Sequence, residues 1–192
     1  MFARLFPLAA VALIAIAGGA ASAAPVLNPA NGHYYDVINT SPGVNWATAN
    51  TAASALSFMG VQGHLVTITT AQENQFLTST FGAGALHFHW TGGLQPAGST
   101  EPGGGWSWVT GEPFAFNNWW PGEPNNSGGI ENRIIFDHGT TANGKSWNDL
   151  RDTALASGYV VEYDTPEPVS LVVFGSLALA GVGVVARRRR RE

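Results

Sequence analysis

Between residues 82 and 129 the chain is dominated by glycine, proline, asparagine and tryptophan, and no helical period survives there. The short apolar alternations are "HFHWTG" (87–92), "WSWV" (106–109) and, just beyond, "NRIIF" (132–136). An irregular stretch of this length inside a compact domain is either functional or disordered. Six of the seven tryptophans lie between residues 90 and 147. Disordered segments are poor in aromatics, so the stretch is predicted to be an ordered functional loop.

The residues on either side of this stretch supply few elements. "YYDVI" (34–38) and "GYVVEY" (158–163) are aromatic and β-branched, and are predicted to pair as strands that bring the two ends of the domain together. The alanine-rich segment 46–59 places apolar residues at Trp46, Ala49, Ala53, Leu56 and Met59, near helical spacing, with Gly60 as its end. A short strand is expected over 65–68. Thr70 and Glu73 then read as a capping box that opens a second helix with Phe76 and Leu77 inward. Two helices, small antiparallel sheets and a long irregular loop region make an α+β domain.

The ends of the chain differ in kind from its middle. Arg4, an apolar run over 5–17 and the small residues that follow read as a secretory signal peptide over 1–24. Residues 169–186 carry no charge and stop against five arginines, 187–191. Eighteen residues span roughly 27 Å as a helix, close to the ~30 Å of a hydrocarbon core, and the arginines predict a cytoplasmic tail. Residues 25–168 hold 12 of the 13 acidic residues and only Arg133, Lys145 and Arg151 as cations, a formal charge of −9. That field excludes a nucleic-acid partner. The chain has no cysteine, so the domain, 25–164, must be held by its core or by a bound ligand.

Inside the long loop, "WWPGEPNNSGGIEN" (119–132) gathers carboxylates and amides within a chain that is only 11% charged. Glu123, Asn125, Glu131, Asn148 and Asp149 are all oxygen donors of the kind calcium takes six to eight of, whereas zinc favours His or Cys. Pro124 separates two of these donors, and a cis bond there would turn both toward a common point; the sequence leaves the isomer open.

Taken in order, "GHLVTITTAQENQFL", "HWTGGL", the loop 106–132, "SWND" and "YVVEY" resemble a C-type lectin-like domain over residues 33–163. In sugar-binding members of that family a Glu-Pro-Asn, a following glutamate and a Trp-Asn-Asp hold one calcium ion, whose shell two sugar hydroxyls complete. The resemblance assigns metal and carbohydrate binding alike to Glu123, Asn125, Glu131, Asn148 and Asp149, and loop shaping to Pro124 and Trp147. Glu-Pro-Asn implies mannose- or glucose-like sugars. Asn126 and Asn132 stand where a second site has acids, so one Ca2+ is expected. Arg133 and Val161 stand where the family has cysteines. Trp90, Trp106, Trp108 and Trp147 are expected in the core, with Trp119 and Trp120 either packed there or stacked on a sugar.

The C-terminal segment 165–192, with Pro166, Glu167 and Pro168 before the span and the arginines after it, resembles a PEP-CTERM sorting signal. That implies an exosortase-type processing enzyme and a membrane contact through the helix before processing. The destination implied is the cell envelope or extracellular matrix of a Gram-negative bacterium, with the chain transiently anchored in the inner membrane. The expected partner is a carbohydrate or exopolysaccharide; the alternative is a surface adhesion or structural protein whose domain binds a protein. Glu112 repeats the Gly-Glu-Pro of Glu123, and two carboxylates invite a glycosidase reading. The resemblance puts Glu112 in a turn, so the chain is not expected to be an enzyme. His87 and His89, alternating across Phe88, would share a strand face and are expected to be exposed.

Overall fold

Residues 24–137 and 146–165 are described by a computed structural model. In chain order they form β1 (Val26–Leu27), β2 (Tyr34–Val44), α1 (Trp46–Ala55), β3 (Ser57–Phe58), β4 (Val61–Gln62), β5 (His64–Leu65), α2 (Ala71–Thr80), α3 (Ala83–Leu86), β6 (His89–Leu94), β7 (Ser107–Trp108), a 3-10 turn (Ser127–Gly129), β8 (Arg133–Phe136), β9 (Trp147–Leu150) and β10 (Ala156–Tyr163). The leader expected over 1–24, apart from its last residue, lies outside the described residues, as do Pro166, Glu167, Pro168, the span 169–186 and the arginine tail. Among the described residues no helix is long and apolar enough to cross a membrane.

The two aromatic runs pair as expected: β10 lies antiparallel to β2, with Tyr163 opposite Tyr34 and Tyr159 opposite Ile38. The sheets are larger than the sequence implied. One path runs β1-β2-β10-β6-β8-β9, with β5 on β10 and β7 on β6. The β10–β6 pair within it is parallel, so the sheet is mixed rather than purely antiparallel.

Neighbouring residues on a strand face opposite sides, and here both sides are apolar. Ile134 and Val160 belong to one buried cluster, with Leu77, Trp108 and Trp147. Ile135 and Val161 belong to another, with Trp46, Ala53, Leu65 and Trp90. Burying indoles requires partners for their N–H groups. The Trp46 Nε1 donates to Thr91 O at 2.9 Å and the Trp90 Nε1 to Val44 O at 2.8 Å. The positions that would carry family cysteines are packed instead: Val161 is fully buried, and the Arg133 guanidinium lies 4.5 Å from the centre of the Trp46 ring.

Both helices form, with local differences. Asn45 caps α1 by accepting from Thr48 N–H at 2.9 Å. The helix ends at Ala55, not Met59, because Ser57–Phe58 and Val61–Gln62 pair as a hairpin. Its two-residue turn, Met59 and Gly60, has φ of 52° and 82°, the positive values such hairpins demand; Gly60 closes a hairpin, not a helix. Thr70 caps α2 by accepting from Glu73 N–H at 3.1 Å. The Glu73 carboxylate reaches one residue further back than a capping box requires, accepting from Thr69 N–H at 2.8 Å. Only His64–Leu65 joins the ladder of the strand expected over 65–68, although Val66 N–H still bonds Val160 O at 2.9 Å. A short third helix, α3, was not anticipated.

Candidate functional site

Trp147 is the joint between frame and loop. It is fully buried and meets Trp108, Phe116 and Trp119 edge to face, at centroid distances of 5.6, 5.6 and 5.9 Å. Its Nε1 donates to Asn74 Oδ1 on α2 at 3.2 Å. Its backbone N–H and carbonyl bond Asn118 O at 2.8 Å and Trp120 N–H at 2.9 Å. One side chain thus pins the loop to β9 and to α2. Trp119, tilted against Trp106 at 4.9 Å, belongs to this packing and not to a sugar-stacking surface.

The next strand residues carry the chemistry. Asp149 is fully buried. Its Oδ1 accepts from Asn125 N–H at 3.0 Å and its Oδ2 from Asn126 N–H at 2.8 Å, so a charged acceptor folds the Glu-Pro-Asn segment onto β9. The Glu123–Pro124 peptide is cis. Asn126, at φ 47°, takes the left-handed conformation that asparagine tolerates. Its Oδ1 accepts from Glu131 N–H at 3.0 Å, while Glu131 Oε2 accepts from Ser127 N–H at 2.7 Å.

Three carboxyls therefore converge. Burial, then the hydrogen bond and charge of Asp149, then the charge of Glu131, push the Glu123 carboxyl up to about 7, against a hydrogen bond from Asn125. Burial also raises the Glu131 carboxyl; the Ser127 N–H opposes the rise, Asp149 adds to it and Arg151 offsets it. Carboxyls held together this way favour a proton or a cation between them.

Glu123, Asn125, Glu131 and Asp149 are thus brought together. Asn148 precedes Asp149 on β9; its Nδ2 donates to Asp137 Oδ2 at 3.3 Å and its Oδ1 is buried with no hydrogen-bond partner. A desolvated amide oxygen with nothing to accept from is uncommon. Carboxylates and amide oxygens, with no thiol or imidazole among them, form the donor set of a hard divalent cation; the residues present fit calcium.

Other sequence readings separate from this group. Glu112 is exposed, with its Oε2 accepting from Thr110 Oγ1 at 2.9 Å. The two histidines do not share a strand face, because Phe88 between them has φ 60°, which breaks the alternation. His87 ends α3, its Nε2 3.3 Å from Asp137 Oδ1. His89 is buried rather than exposed, its Nε2 3.2 Å from Asn39 Oδ1.

A second carboxylate cluster escaped the sequence reading. His33 Nδ1 lies 2.7 Å from Glu162 Oε1, and the Tyr35 hydroxyl donates to Glu73 Oε1 at 2.5 Å and lies 3.0 Å from Glu162 Oε1. Thr67 N–H donates to Glu162 Oε2 at 2.8 Å. Ligand atoms of His33, Glu73 and Glu162 lie within 4.8 Å of one another, yet each carboxylate is already supplied with donors by the protein. The one available signal was the capping role of Glu73.

The comparisons bear on family and fold. The Lectin C-type domain family model matches residues 45–159. Halomucin of Haloquadratum walsbyi is 32% identical over 148 residues, covering 69% of this chain and 1% of halomucin. C-type lectin domain family 4 member G of Mus musculus is 34% identical over 117 residues, covering 60% of this chain and 36% of that protein. The chain thus spans a minor part of these relatives. Among solved structures, the C-type lectin CEL-I of Cucumaria echinata aligns with a TM-score of 0.57 at 22% identity, covering 70% of this chain and 91% of that one. The cow carbohydrate-recognition domain of CD23, determined in the presence of a GlcNAc2Man3 oligosaccharide, aligns with a TM-score of 0.55 at 24% identity over 70% and 90% of the two chains. Likenesses at such identity bear on the fold alone.

Proposed function

The chain belongs to the C-type lectin domain family, and on that premise we propose that it is an exported, calcium-dependent carbohydrate-binding protein. The observation that carries this reading is the convergence of Glu123, Glu131 and Asp149, with the Glu123 carboxyl pushed up to about 7. Glu123, Asn125, Glu131, Asn148 and Asp149 would hold a single Ca2+. When bound, the ion supplies Lewis-acid coordination to two vicinal hydroxyls of a sugar. The chain's own residues do the rest. Asp149 keeps Asn125 and Asn126 in place through their N–H groups, and Trp147 holds both segments against the core. Glu123 and Asn125 offer a carboxylate and an amide to the same hydroxyls, as an acceptor and a donor respectively.

The Glu-Pro-Asn order favours mannose- or glucose-like diols, on a free sugar or on a matrix polysaccharide. Export by the leader, transient anchoring by residues 169–186 and processing at Pro166–Pro168 by an exosortase-type enzyme complete the proposal. Deleting Pro166 to Pro168 is expected to leave the chain uncleaved in its native host.

Calorimetric calcium titration tests the site. One ion is expected for the wild type and none for the Glu123→Ala, Asn148→Ala double variant. A folded wild type that takes up no calcium would sink the lectin mechanism and favour a surface protein that binds another protein.

A further inference from the structure

A cleft of about 500 Å³ opens beside the carboxylate site, between the 3-10 turn and the segment that follows β9. Phe88, Ile130 and Leu155 wall it, and Glu131 and Arg151 supply its charges. Ile130 is 53% and Leu155 61% exposed. Large apolar side chains that stay in water around one hollow mark a binding surface more often than chance exposure does. Phe88 is turned there by a left-handed backbone that a bulky residue rarely adopts. The volume lies within the ~300–1,000 Å³ of small-molecule sites.

Two features identify the occupant. The first is continuity: Glu131 lines the cleft and also belongs to the carboxylate group, so a ligand held at one reaches the other. The second is charge. Glu131 and Arg151 both line the cleft, which leaves it with one anion and one cation. The domain around it carries a formal −9 over residues 25–168, a field that opposes an acidic glycan. A neutral group fits, one with apolar surface for Phe88, Ile130 and Leu155 and an acceptor for the guanidinium, which has five N–H donors to share. An acyl substituent has both, a methyl and a carbonyl.

We infer that the cleft is a subsite for a neutral acylated sugar unit next to the diol-bearing one, so that the protein selects acylated polysaccharide over the bare or acidic polymer. This rests on the calcium-dependent reading above. A single acyl group is far smaller than the cleft, so the subsite takes the neighbouring sugar together with its substituent.

The test uses the full chain in calcium and three probes: an O-acetylated glucomannan oligosaccharide, the same sample after mild alkaline deacetylation, and an oligouronate of similar length. The acetylated form is expected to bind tighter by about fourfold for each methyl buried. Leu155→Ser, with its folding checked by melting temperature, is expected to abolish that gain. Equal binding of the two neutral forms overturns the subsite and leaves the calcium reading standing, as does a gain that survives Leu155→Ser. Preference for the oligouronate overturns the choice of a neutral ligand. If neither neutral form binds in calcium, the subsite and the calcium reading fall together.

Discussion

The molecule gathers carboxylates twice, and the two clusters are built on opposite terms. Around Glu73 and Glu162 the protein supplies its own donors: a tyrosine hydroxyl, two backbone N–H groups and His33. Around Glu123, Glu131 and Asp149 it supplies N–H groups to Asp149 and Glu131 but leaves three carboxyls facing one another. A carboxylate whose oxygens meet a hydroxyl, an imidazole and backbone N–H groups is part of the frame; carboxyls that face chiefly one another are suited to a cation. Residue type alone does not tell these cases apart, whereas the inventory of donors does.

The largest expected effect lies in the frame. Glu162→Ala leaves the Thr67 N–H and His33 without their acceptor, while the Tyr35 hydroxyl keeps its bond to Glu73. Breaking a buried charged pair costs about 3–5 kcal/mol, so urea unfolding should show a loss of that order. A variant of unchanged stability would break the comparison at its first limb. Glu123→Gln should have the contrary signature: calcium affinity falls at least tenfold, about 1.4 kcal/mol, while the metal-free protein melts no lower than wild type because a crowded charge has gone. A metal-free variant that melts well below wild type would place Glu123 in the frame.

The pH dependence sharpens the contrast. The Glu123 carboxyl is raised by folding to about 7 from an ordinary value of 4.5. Between those values the metal-free folded state binds more protons than the unfolded chain, so its stability falls as pH rises through that window. Burial raises Glu131 and Glu162 in the same sense. His33, raised chiefly by its bond to Glu162, contributes stability present below about 6.5 and lost as pH rises through its folded value. Burial lowers His89, which opposes the others by favouring unfolding in acid. The calcium-loaded protein should respond the other way, because protons compete for Glu123: affinity measured by titration should drop from pH 7.5 to pH 5.5. A calcium affinity flat across that range would remove Glu123 from the ligand set. The smallest effect expected is a change of preference rather than of strength. Glu123→Gln with Asn125→Asp should move competition from mannose-like toward galactose-like sugars, and unchanged selectivity would count against the diol assignment.

What was legible in the sequence followed from local chemistry. β2 and β10 could be read because aromatic and β-branched runs have few other fates, and α2 because Thr70 and Glu73 announce its start. The length of α1 could not, since alanine and serine continue a helical pattern that Met59 and Gly60 spend on a hairpin. The burial of His89 was hidden because it depends on the left-handed backbone of Phe88. Glu123, Asn125 and Glu131 lie close along one loop and resemble a known motif, whereas Glu73 and Glu162 meet only after α2 and β10 dock. The wall of Ile130 and Leu155 was invisible for the same reason: exposure is a property of the assembled surface.

The pairing of Tyr34 with Tyr163 also governs how the domain is presented. Both ends of the described domain leave from the β1-β2-β10 side of the sheet, and β9, which carries Asp149, forms the far edge. Five strand spacings of about 4.8 Å separate β1 from β9, roughly 24 Å. A tether attached at either end therefore leaves from the side of the sheet away from β9. Such a unit can be spliced as a cassette into a longer chain, or spaced off a surface, without its host crossing in front of the ligand.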